Sequence, residues 1–161
     1  MGMDVYGRNP KQNRPIEEFP TYYKWDKIPY GERDKVEWEK EQDQFYTEIQ
    51  EYEEVNIGHY FRNNCWWWRP LWDFCYNIAP DLISEELWGS GHNNSGKGLD
   101  EKDARLLGNR LLQQIREGKA DEFKKWHEEQ EKNEEYKYPF DTDNVKKFAK
   151  FCLQSGGFKI C

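Results

Sequence analysis

A chain of 161 residues with 36% apolar and 34% charged side chains fits one domain with an appended segment. That balance leans toward disorder, but aromatic residues make up 17% of the chain, and each ring can bury on the order of 150–250 Å², so a core of large rings can offset the entropy of ordering. A net charge of −7 without a dense Lys/Arg run argues against duplex nucleic acid as a partner.

Nothing in the sequence points to a membrane. The opening MGMDVYGRNPKQ lacks the apolar core of a signal peptide, and Tyr6 stands where a myristoylation signal needs Ser or Thr. No run of about 18 apolar residues is present. A cytoplasmic protein is the expectation, with Cys65, Cys75, Cys152 and Cys161 as mostly buried thiols, since they show no CxxC spacing.

Residues 1–31 carry Pro10, Pro15, Pro20 and Pro29, spaced too closely for a helix, with Tyr22, Tyr23 and Trp25 among them. The pattern predicts an extended proline/aromatic arm whose rings anchor it, more readily to the protein's own body than to a partner. Residues 32–57 predict an acidic helix. Trp38, Phe45, Ile49 and Tyr52 form its stripe, and ten acids stand against three bases between Glu32 and Glu54.

Residues 58–161 read as a helical core domain. Pro70 suits the first position of a short helix with Leu71, Phe74, Cys75 and Ile78 on one face, stopped by Pro80. After the loop GSGHNNSGKGL, Asp100 caps a helix with Ala104, Leu107, Leu111 and Ile115 as its apolar stripe, widened by Leu106 and Leu112 and ended by Gly118. A charged helix over Asp121–Glu134 presents Phe123, Trp126 and His127. A last one begins near Asp141 or Thr142, carries Val145, Phe148, Ala149 and Cys152, and stops at Gly156-Gly157. Only GGFKIC reads as a short strand. The fold class expected is mainly α, a compact helical domain with an N-terminal arm and at most a minor β element.

GHNNSGKG, Gly91 to Gly98, matches most of the phosphate-binding G-x-x-x-x-G-K pattern, but Gly98 replaces the hydroxyl that would hold magnesium, and an acidic segment replaces the preceding buried strand. A nucleoside triphosphatase is therefore not expected. The plain reading is a solvated turn, with anion binding by loop amides and the following helix start as the alternative.

The stretch HYFRNNCWWWRPLW raises the sharper question. Whether helical or extended, Trp66, Trp67 and Trp68 cannot all enter one core from one side. At least one indole must meet another layer, a partner or a ligand. Around them stand Arg62, Asn63, Asn64, Arg69 and Trp72. An Arg fork suits phosphate or carboxylate, Asn amides suit base edges, and indole faces stack on planar rings. The bland alternative is that Arg and Asn cap helix ends while the tryptophans close a thin core. His59, His92 and His127 lack metal-ligand spacing, and no catalytic signature stands out, so no catalytic residue, metal site or cofactor is assigned.

Four motifs in order, MDVYGRNP, GHYFRNNCWWWRPLW, GHNNSGKGLD and NVKKFAKFCLQSGGFKI, resemble a family of small bacterial and phage proteins with no established activity. The resemblance implies a shared fold, and it implies that residues 11–57 are an insertion between the first two motifs. The functional expectation is a non-enzymatic, phage-type binding protein for a planar anionic small molecule such as a nucleotide. In it, Arg62–Trp72 and the loop residues His92, Asn93, Asn94, Ser95 and Lys97 would share one pocket, in the host cytoplasm if phage-encoded. Two alternatives stand beside it. One is an interaction or inhibitor protein that meets a host protein, or itself as an oligomer, through the arm and acidic helix. The other is an enzyme on a small polar substrate.

Overall fold

The computed structural model describes residues 2–161; Met1, the first residue of the expected arm, lies outside the described residues. The chain is mainly helical and divides into two compact units, one comprising the segment up to Lys11 with Ile57–Cys161, the other Gln12–Asn56.

The first unit contains an antiparallel sheet of β1 (Gly2–Gly7), β2 (Tyr60–Asn64), β3 (Gly98–Leu99) and β4 (Phe158–Ile160), in the spatial order β2-β1-β4-β3. Val5 pairs with Phe61 on one side and Ile160 on the other, and Leu99 pairs with Phe158. With Met3, these residues turn one apolar face to the helices. The opposite face is polar: Tyr60 donates its hydroxyl hydrogen to Asp4, beside Arg62 at 3.5 Å from the same carboxylate.

The helices are α3 (Cys65–Ile78), α4 (Glu85–Gly91), α5 (Glu101–Arg116), α6 (Lys119–Gln130) and α7 (Thr142–Gln154). Asp100 caps α5 by accepting from Asp103 N–H at 2.8 Å, and Asp141 caps α7 by accepting from Asn144 N–H at 2.7 Å. The α5 stripe Ala104, Leu107 and Leu111 is fully buried, as are Val145, Phe148 and Ala149 of α7, whereas Leu106 is exposed rather than part of the stripe. Gly118 at φ +74° ends α5, and the Gly156-Gly157 pair at φ +64° and +90° follows α7. Cys75 and Cys152 are buried, Cys65 and Cys161 half-buried.

Two expectations are corrected in this unit. Helix α3 begins at Cys65, not Pro70. Asn64 caps it by accepting from Trp67 N–H at 3.1 Å, and the helix runs through Pro70, whose missing N–H withholds a bond from the Trp66 carbonyl one turn back. The β element also exceeds the single C-terminal strand expected, because its other strands are short and glycine-flanked.

The second unit corrects the extended arm. Pro15 and Pro20 sit at the starts of helical turns, a 3-10 turn Ile16–Glu18 and α1 (Pro20–Asp26), while Pro29 precedes another turn at Tyr30–Glu32. They punctuate helices instead of stiffening a strap. Helix α2 (Lys35–Val55) lays Trp38, Phe45 and Tyr52 against Phe19, Tyr22 and Trp25. The rings meet edge to face, Phe19–Tyr52 at 5.5 Å and Trp25–Trp38 at 5.3 Å. The Arg33 guanidinium lies 4.1 Å from the Trp38 ring centre and donates to the Trp25 and Ile28 carbonyls. Glu48 is buried beneath, accepting from Tyr22 N–H at 2.8 Å and from Gln44. Burial pushes its carboxyl up, but bonds from the Tyr22 backbone, Gln44 and Thr21 outweigh that and hold it below the ordinary value.

Candidate ligand-binding surface

The helical start at Cys65 sends the three adjacent indoles in three directions. Trp68 is fully buried and donates its Nε1–H to the Gly91 carbonyl at 2.8 Å. Trp72, one turn on, stacks on it at 5.4 Å and donates to the Trp88 carbonyl at 3.0 Å. Both indole N–H groups are thus satisfied inside the core. Gly91 sits against this pair so closely that a Cβ there would come within 2.3 Å of Trp72 Nε1.

Trp66 and Trp67 point elsewhere. Trp66 is 43% exposed, with Tyr136 stacked at 6.3 Å and Tyr138 at 5.1 Å. Arg69, also exposed, donates to the Tyr138 hydroxyl at 3.1 Å and holds its guanidinium 5.7 Å from that ring. Half-buried Trp67 lines a cleft of about 510 Å³ with Tyr138, Lys124, Lys137 and Glu128. Two further carboxylates border the cleft but are engaged. Glu131 accepts from Tyr138 N–H at 2.8 Å and lies 3.3 Å from His127, and Asp141 caps α7. Among the described residues, Arg69, Lys124 and Lys137 form no ion pair; the two lysines share the cleft lining with three carboxylates, and Arg69 stands beside it at Tyr138.

The other residues expected at the site lie elsewhere. Arg62 pairs with Asp4 on the sheet, Asn63 exchanges amide bonds of 3.1 and 2.8 Å with Asn144, and Asn64 serves as the α3 cap. Arg62 and Asn63 belong to β2 at one sheet edge. Lys97 leads into β3 at the other, three strand spacings away, or roughly 14 Å. The loop does touch the tryptophan motif, but through Gly91 on the buried side. Several of its amides are also engaged: Ser95 N–H bonds Asn93 O, Gly96 N–H bonds Ile160 O and Lys97 N–H bonds the Ser95 hydroxyl. Lys97 pairs with Glu86, and the Asp100 carboxylate occupies the α5 start. Asn93 and Asn94 are exposed. Arg62, Asn63 and Asn64 are thus committed to Asp4, Asn144 and the α3 cap beside Trp67, while the loop carrying Asn93, Asn94, Ser95 and Lys97 leads into the opposite sheet edge from β2.

His92 has a separate setting. Its Nε2 lies 3.3 Å from Asp73 Oδ1, which also accepts from Trp88 Nε1 at 2.7 Å. Burial raises the Asp73 carboxyl, but the bonds from His92 and Trp88 outweigh it and keep the group below its ordinary value. His92 Nδ1 is buried and meets no hydrogen-bond partner among the described residues. A depression of about 590 Å³ runs along α5 between Asp100 and Asn109 with Leu106 as its one apolar residue. It is walled by a single helix and holds no ring, so the smaller aromatic cleft is the better candidate.

Sequence reasoning missed Tyr136, Tyr138, Lys124 and Lys137. The signal was present as EEYKYPF, two tyrosines bracketing a lysine after an acidic run, but nothing local tied it to a tryptophan some 70 positions earlier. Compared with known proteins, the chain matches no family model, no curated protein and no solved structure. Among the described residues no cluster of His, Cys, Asp and Glu could hold a metal, and no helix is long and apolar enough to cross a membrane.

Proposed function

We propose that this protein binds a planar, anionic small molecule, with nucleotides as the leading class, on the surface built from Trp66, Trp67, Arg69, Tyr136, Tyr138, Lys124 and Lys137. The observation that carries the reading is an exposed indole with two tyrosines beside it and three cations nearby that form no ion pair. A base or similar ring would stack on the Trp66 and Tyr136 faces, a contact worth about 1–3 kcal/mol per base. Arg69 would offer its fork to phosphate or carboxylate, and the two lysines would add charge from the cleft. The chemistry proposed for this surface is capture. If the motif resemblance to small bacterial and phage proteins reflects kinship, capture of a host signalling nucleotide would be a fitting role, by analogy alone.

The test is a titration of nucleoside mono-, di- and triphosphates followed by Trp fluorescence and melting temperature. Saturable quenching is expected with at least one of them. Trp66→Ala and Arg69→Ala, both at exposed positions, should each weaken it about tenfold or more, while Lys97→Ala should leave it unchanged. No response to any nucleotide up to millimolar concentration would reject the site.

A further inference from the structure

A second cleft, of about 350 Å³, lies on the other flank of α6. Helix α3 presents Asp73, Tyr76 and Asn77 at i, i+3 and i+4, so the three share one face. Helix α6 presents Phe123, Trp126 and His127 at the same spacing. Trp88 of α4 completes the lining. Tyr76 and Trp88 stack at 5.6 Å, and Phe123 packs on Trp126 at 5.4 Å. Trp126 nonetheless stays 55% exposed, an unusual cost for an indole that serves only the core.

The charge in this cleft is one-sided. Asp73 is its carboxylate, held in the ionised form, and no Lys or Arg lines it. His127 directs Nε2 toward the Tyr138 carbonyl at 2.7 Å, so that nitrogen is tied up outside the cleft. Both bonds that steady Asp73 go to Oδ1, which leaves Oδ2 for an incoming group. Four aromatic rings and one carboxylate form the donor set that attracts a weakly hydrated cation: the ring faces supply negative quadrupole, and the acid supplies the balancing charge. An ordinary primary ammonium keeps its water and gains less. A quaternary, trimethylated ammonium has lost its N–H donors and suits apolar walls.

We propose that the Asp73–Tyr76–Trp88–Phe123–Trp126 cleft binds a methylated ammonium group, whether carried by a free small molecule such as choline or by a methylated lysine side chain. This site is distinct from the planar-anion surface and stands or falls without it, because the two share no residue.

The full chain is titrated with choline, with its neutral isostere 3,3-dimethylbutanol, and with a short peptide bearing trimethyllysine or unmodified lysine. Indole N–H resonances and calorimetry provide the readout. Choline or the trimethylated peptide is expected to bind saturably and to shift the Trp126 resonance, and whichever binds more tightly identifies the source. The neutral isostere should bind between about twofold and thirtyfold more weakly. Trp126→Ala, at a position too exposed to threaten folding, should weaken the cation by a factor in that range, as should Asp73→Asn. Equal binding of the neutral isostere overturns the proposal. So does the absence of saturable binding by both methylated probes, or an unaltered affinity in Trp126→Ala.

Discussion

Gly91 shows how one position can decide a core. The stacked Trp68–Trp72 pair hangs its two N–H groups on the carbonyls of Gly91 and Trp88, and the missing Cβ at Gly91 is what lets the backbone approach. Gly91→Ala should destabilise the protein by about 1–3 kcal/mol through overpacking, read as a lower denaturation midpoint with unchanged slope. Glu48 gives a pH prediction. Its carboxyl is depressed in the folded state, so its stabilisation is complete above the ordinary value of 4.5 and is lost as pH falls through the folded one. An acid titration followed by the fluorescence of Trp25 and Trp38 should show a transition on the acid side of that value. Glu48→Gln should flatten it.

At the scale of elements, legibility followed periodicity. Helices α5 and α7 were plain because apolar stripes and glycine stops agreed; Asp100 caps α5 as expected, and Asp141, one of the two starts expected for α7, caps that helix. Helix α3 was misread at its start because Pro70 resembles an opening residue, whereas Asn64, six positions earlier, does the capping. Replacing Asn64 by Ala should cost about 0.5–2 kcal/mol in thermal unfolding, an effect absent if Pro70 opened the helix. The sheet was hidden for a different reason: β1 offers only Met3 and Val5 as alternating apolar residues, and its neighbours β2 and β4 arrive from residues 60 and 158. No local window contains that pairing. The same limit applies to the candidate surface, where the indoles were legible and the tyrosines and lysines beside them were not.

At the scale of the whole molecule, the chain leaves and re-enters the first unit at one place. Lys11 N–H bonds the Gln154 carbonyl, and Gly58 packs so closely on that same carbonyl that a Cβ would meet it at 2.1 Å. Removing Gln12–Asn56 and closing the gap with a short flexible linker should therefore leave a cooperatively folding protein. Circular dichroism and calorimetry check this directly. The nucleotide response proposed for Trp66 should persist in that variant, whereas a function vested in the acidic helix α2 would vanish with it.

The four cysteines divide the same molecule by reactivity. Burial drives the Cys75 and Cys152 thiols far up, so they hold little thiolate at neutral pH, while half-buried Cys65 and Cys161 remain within reach of solvent. A maleimide dye applied briefly would therefore settle on Cys65 and Cys161 alone. Since Cys65 adjoins Trp66 along the backbone, a Cys161→Ser background would turn it into an optical reporter at the rim of the surface where binding is expected.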